Sequence, residues 1–123
     1  MKLWTPTGAA LGLSAVALGA VGAHAVPLDD HARALFETAN RYHFYHAIAL
    51  VLTGVSLGHV HAWLGHGAGM AFLMGTVLFS GSLYLTALHG PNALGFLAPV
   101  GGTLLMAGWL LLALAALVGR KGR

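Results

Sequence analysis

The sequence predicts an all-α membrane protein, a bundle of four transmembrane helices, and three observations carry that expectation. From Tyr42 to Gly119 there is no Asp, Glu, Lys or Arg, so helices drawn from this run have no charged face to offer water. Four stretches each approach the ~20 apolar residues needed to cross a ~30 Å hydrocarbon layer at ~1.5 Å per residue. Glycine, proline and asparagine fall between the later ones, as turn signals should.

The first span covers about residues 4–23, preceded by the lone charge of Lys2. Its end, Ala23-His24-Ala25, also fits a signal peptide with an A-x-A cleavage site, and a natural N-terminus at Val26 would remove this span. After it, Pro27-Leu28-Asp29-Asp30 reads as a helix start with an aspartate as N-cap. Leu28, Ala32, Leu35, Phe36, Ala39 and Tyr42 then recur at helical spacing, with Asp30, Arg33, Glu37 and Arg41 on other faces. Residues 28–41 are therefore expected to form a short interfacial amphipathic helix, which can also run straight into the second span.

That second span is placed at about 42–64, the third at 68–88 and the fourth at 94–118. Gly65 to Gly67 separates the second from the third, and Gly90-Pro91-Asn92 the third from the fourth. Pro99 suits the first turn of the last helix, where its missing N–H costs nothing, so that helix starts late and residues 92–98 lead into it. Four spans put both termini on one side with Lys2, Arg120, Lys121 and Arg123, against Arg33 and Arg41 on the other. The excess of positive charge assigns the termini to the cytoplasm.

The chain carries a formal charge of +3, but its basic residues are few and mostly terminal, which disfavours nucleic acid as a partner. Lipid is the expected partner, with anionic headgroups meeting Arg120, Lys121 and Arg123. Cysteine is absent, excluding disulfides and thiolate chemistry. No mid-membrane carboxylate or basic side chain is available to relay ions, which argues against a pump or an ion-coupled transporter. Ser80 and Ser82 have no neighbouring acid to orient a histidine, so no enzyme activity is expected.

Small residues stand four apart at Gly8 and Gly12, Ala15 and Gly19, and Gly54 and Gly58. Such faces serve close packing inside the bundle, or the docking of a second copy or another membrane protein. Thr76, Ser80 and Tyr84 share one face of the third span, and their hydroxyls are expected to bond neighbouring helices or their own i−4 carbonyls.

Histidines number eight. In this topology His24, His31, His43, His46 and His89 fall toward the non-cytoplasmic rim, and His59, His61 and His66 toward the cytoplasmic one. Imidazole is a common metal and haem ligand, so His24, His46 and His89, on three helices, make a conceivable haem or copper site. The competing expectation is structural: boundary histidines that satisfy backbone groups at helix ends. No H-E-x-x-H or similar tight ligand pattern is present.

Gly22-Ala23-His24-Ala25, the run Tyr42 to His46, Phe79-Ser80-Gly81-Ser82-Leu83-Tyr84-Leu85, Leu94-Gly95, Pro99-Val100-Gly101-Gly102 and Gly108-Trp109 occur in a distinctive order. In this order they resemble the domain-of-unknown-function family four-two-three, small bacterial inner-membrane proteins with a mitochondrial relative. The likeness spans nearly the whole chain. It implies residence in the bacterial inner membrane and retention of the first helix, and it implies no activity. It marks Ser80, Gly81, Ser82, Tyr84, Pro99, Gly101 and Gly102 as motif residues. The chain departs from the family pattern at His89 and Ala98, where threonine is usual, so His24 and His46 are the better candidates for a shared role. The resulting expectation is a protein acting by association, as a homo-oligomer or an accessory subunit of a larger membrane complex. The alternative is a haem- or copper-binding protein.

Overall fold

The computed structural model describes residues 3–24, 26–90 and 93–120. Lys2, Ala25, Pro91, Asn92, Lys121 and Arg123, which contribute to the charge count, the cleavage motif and one turn, lie outside the described residues. Among the described residues four helices follow in order: α1 (Trp4–His24), α2 (Asp30–Ser56), α3 (Ala62–His89) and α4 (Leu97–Val118), with a 3-10 turn over Ala93–Phe96 ahead of α4. Three of them, α1, α3 and α4, are long and apolar enough to cross a membrane.

The fourth, α2, differs because its first half is charged. Residues 28–41 do not form a helix of their own: α2 runs unbroken from Asp30 through the start of the expected second span. Asp29 starts it by accepting the Ala32 N–H at 2.8 Å. No proline and no glycine interrupts the chain from Asp30 until Gly54, so nothing stops the helix at Tyr42.

The turn between α2 and α3 also moves. The helix expected to reach residue 64 stops at Ser56, and α3 begins at Ala62 instead of 68. His61 restarts the helix, its ring Nδ1 accepting the Leu64 N–H at 3.3 Å in place of the missing carbonyl. Gly65 is a packing position: a Cβ there would stand 2.6 Å from Leu57 Cδ2. Gly90 does end a helix, with φ of 82° and its N–H on Thr86 O at 2.8 Å. Pro99 sits in the first turn of α4, behind the 3-10 lead-in.

Contacts at the ends of each pair give the directions. Thr5 meets Gly54 while Gly22 meets Phe36; Leu57 meets Gly65 while Ala39 meets Ser80; Gly67 meets Leu111 while Gly101 meets Phe79. Each helix thus runs antiparallel to its sequence neighbour. α1 packs along α2, α2 along α3 and α3 along α4, whereas α1 and α4 are not packed along one another. The four helices form an open zigzag, not a closed ring.

Close approach along the seams comes from missing side chains. On α1, Gly8, Gly12, Ala15, Gly19 and Gly22 form one stripe toward α2. A Cβ on Gly8 would lie 2.7 Å from Ala47 O, and one on Gly19 2.8 Å from Asn40 Oδ1. The small-residue faces of α1 are therefore used inside the chain. Gly54 faces Thr5, and Gly58 meets nothing within 4 Å. On the α3–α4 seam Gly75 receives Leu105, Gly108 receives Phe72, and Gly101 lies directly on the Phe79 backbone.

The apolar core gathers Trp4, Leu50, Leu57, Val60, Phe72 and Leu105. Outside it, Leu13, Val16, Ile48, Leu110 and Leu117 are exposed, an exterior suited to hydrocarbon.

Candidate functional site

Midway along the bundle, α1, α2 and α3 meet through polar side chains. The Ser14 hydroxyl donates its one hydrogen to Leu11 O at 2.9 Å, so toward His43 Nε2, 3.0 Å away, it can only accept. His43 therefore carries its proton on Nε2, and its bare Nδ1 accepts the Tyr84 hydroxyl at 2.9 Å. Tyr84 in turn accepts from Asn40 Nδ2 at 3.0 Å, and the same nitrogen donates to Ala15 O at 2.8 Å. Every hydrogen has one destination. The row begins at an amide and ends at a backbone carbonyl, with no carboxylate along it. Its chemistry is to hold three helices in register, and a further proton could join His43 only by displacing the Tyr84 bond.

Ser80 adds a fifth tie between helices, donating to Ala39 O at 2.8 Å from a buried position. One turn earlier, Thr76 Oγ1 is buried with no partner among the described residues. An open groove of ≈240 Å³ between α1 and α3, lined by Leu11, Leu18, Thr76 and Gly81, runs over this cluster. Because an unmet buried hydroxyl is a cost, Thr76→Val should leave the protein as stable or raise it by about 1 kcal/mol. Thermal unfolding in mild detergent measures this, and a clear loss would mean the hydroxyl is bonded after all.

Two tryptophan–histidine pairs lock the outer helices. His46 gives its Nδ1–H to Tyr42 O at 2.7 Å and accepts the Trp109 indole N–H at Nε2, 3.0 Å away, joining α2 to α4. Phe72 and Trp109 pack edge to face beside it, centroids 4.9 Å apart. Trp4 donates to His66 Nδ1 at 3.0 Å, joining the start of α1 to α3. Neither pair was anticipated. The signal available was that a tryptophan in an apolar setting needs an acceptor for its N–H.

The three histidines considered for metal or haem are not drawn together. His24 and His89 end α1 and α3 and are exposed, while His46 is buried inside the bundle. Phe36, which lies against α1 at Gly22, precedes His46 by ten positions of the same helix, ~15 Å. Phe72, the α3 residue beside His46, precedes His89 by seventeen, ~25 Å. The rim placement of His43 and His46 thus gives way to an interior one, because α2 starts at Asp30 and carries them inward. Among the described residues no three His, Asp or Glu side chains are grouped to hold a metal ion. For His46 to ligate one, Nε2 would have to release Trp109.

The motif residues divide by role. Ser80 and Tyr84 bond across to α2, whereas Ser82 donates to Phe79 O of its own helix at 3.0 Å. A Cβ on Gly81 would meet open space, and one on Gly102 would touch Phe79 Cδ1 at an ordinary 3.6 Å. Pro99 O accepts the Thr103 hydroxyl at 2.9 Å.

A family profile described as "Protein of unknown function (DUF423)" matches residues 18–102. The chain is similar to a UPF0382 membrane protein of Staphylococcus aureus, 38% identical over 117 residues that cover 94% of this chain and 95% of the relative. A UPF0382 membrane protein of Staphylococcus haemolyticus is 40% identical over 91% of this chain and 93% of its own length. The UPF0382 membrane protein YwdK of Bacillus subtilis is 35% identical over 94% of this chain and 97% of its own. No solved structure matches. These names state a membrane setting and no activity.

Proposed function

The chain belongs to the DUF423 family, whose curated relatives here are membrane proteins, and on that premise we propose that it works by association within the bacterial inner membrane. It acts as a homo-oligomer or as an accessory subunit of a larger membrane complex, with four spans, both termini in the cytoplasm and no catalytic step of its own. In this reading the apolar half of α2 completes the second crossing, and its charged half reaches the opposite interface.

The observation that carries the reading is the open zigzag. The edge helices α1 and α4 each have one packed neighbour in sequence and are not packed along one another. Each also turns large apolar side chains outward: Leu13 and Val16 on α1, Met106, Leu110 and Leu117 on α4. The small-residue face of α1 is spent inside, so its outer face remains for lipid or another helix. Crosslinking and native mass spectrometry of protein extracted in mild detergent test this. A defined oligomer or a stoichiometric partner subunit is expected, and a strictly monomeric protein with no co-purifying subunit overturns it.

A further inference from the structure

Along the outer side of the α1–α2 seam run three depressions that share residues end to end. The first, ≈310 Å³, is lined by Arg33, Phe36, Glu37, Asn40 and Arg41. The second, ≈330 Å³, shares Asn40 and Arg41 with it and adds Val16, Phe44 and Tyr45. The third, ≈190 Å³, shares Phe44 with the second and adds Gly12, Ile48 and Val51. One end of this channel is charged and the rest is apolar. The change falls at Arg41, after which no charged residue occurs until Arg120. That is where a helix passes from headgroups into hydrocarbon.

The charged end has unmet capacity of both signs. Arg33 is committed to the end of α1 and the segment after it, its guanidinium holding Gly22 O at 3.1 Å and Val26 O at 3.2 Å. Among the described residues Arg41 has a single bond, to Thr38 Oγ1 at 3.3 Å, which leaves most of its five N–H donors available. Glu37 lies one turn from each arginine, yet among the described residues it makes no ion pair with either. Asn40 spends its amide hydrogens on Ala15 and Tyr84 and turns Oδ1 toward α1 at Gly19. The end of the channel therefore offers a cationic donor and, about one helical turn away, a carboxylate acceptor.

We propose that this channel is a binding site for an aminophospholipid, with the phosphate on Arg41, the primary ammonium on Glu37, and an acyl chain along Val16, Phe44 and Ile48. A headgroup with phosphate but no amine leaves Glu37 facing like charge. A quaternary choline has no N–H for the carboxylate to accept. At the tail of the channel a Cβ on Gly12 would meet only Ala47 Cβ, at an ordinary 3.9 Å.

The test titrates the delipidated full-length chain with palmitoyl-oleoyl phosphatidylethanolamine, phosphatidylglycerol and phosphatidylcholine, counting bound lipid by native mass spectrometry. Wild type is expected to bind phosphatidylethanolamine about tenfold more tightly than either other lipid, the scale of a charge-assisted hydrogen bond. Glu37→Gln should bring phosphatidylethanolamine and phosphatidylcholine within about twofold while phosphate binding persists. Arg41→Gln should weaken all three lipids. Both side chains are exposed, so the folded state, followed by circular dichroism, should be retained. Equal binding of the three lipids, a preference for phosphatidylglycerol, or a Glu37→Gln protein that keeps the wild-type preference overturns the proposal.

Discussion

Gly101→Leu is expected to cost about 3 kcal/mol, at the upper end of what overpacking a close seam costs. Its Cβ would fall on the Phe79 backbone and within 2.9 Å of Gly75 O. Backbone atoms cannot rotate aside as a side chain can, so α3 and α4 would have to separate along their length. Separation would also pull Leu105 from Gly75 and Phe72 from Gly108, and would move Trp109 off His46. Gly102→Leu is the control, since its neighbour is the edge of the Phe79 ring at 3.6 Å and the cost should stay within about 1 kcal/mol. Unfolding by heat or SDS, followed by circular dichroism, compares the two. Equal losses would show that the seam does not depend on Gly101.

Tyr84→Phe should cost about 2 kcal/mol, although the ring and its edge-on contact with Phe36, centroids 5.0 Å apart, are kept. A single interhelical hydrogen bond in lipid is worth only ~0.6 kcal/mol on average, because the unfolded chain also finds partners. Loss of this hydroxyl orphans two groups at once, His43 Nδ1 and one Asn40 N–H. Unmet buried groups cost more than a lost bond. Combining Tyr84→Phe with His43→Leu should therefore cost clearly less than the sum of the two, since the second change removes a group stranded by the first. Strict additivity would mean that the row does not act as a unit.

How much of this was legible in the sequence depends on the range over which each signal acts. The helices, the Asp29 cap, the late start of α4 with Pro99 in its first turn and the bonding of Ser80 and Tyr84 to another helix follow from local pattern. The end of α2 does not. Glycine serves both turns and close packing, and Gly65 to Gly67 resembles the first while Gly65 performs the second. The change from charged to apolar residues at Tyr42 leaves continuity of α2 as one of two readings, since it marks a change of surroundings and not of backbone. The His43–Tyr84 and His46–Trp109 bonds join residues 41 and 63 positions apart, and local pattern carries no mark of such pairings. Thr76 shares its face with Ser80 and Tyr84 but finds no partner among the described residues, and the shared face does not reveal this.

The zigzag bears on how the protein is made. With nearly all packing between helices adjacent in sequence, contact order is low, and each hairpin can close once its second helix leaves the ribosome. The α1–α2 hairpin would zip along its glycine stripe before α3 is synthesised, holding Asn40 and His43 in place for Tyr84. α4 would arrive last onto a surface already shaped by Gly75 and Phe79. Such a chain assembles in the order of its translation, and the newest helix always finds its partner in the one before it.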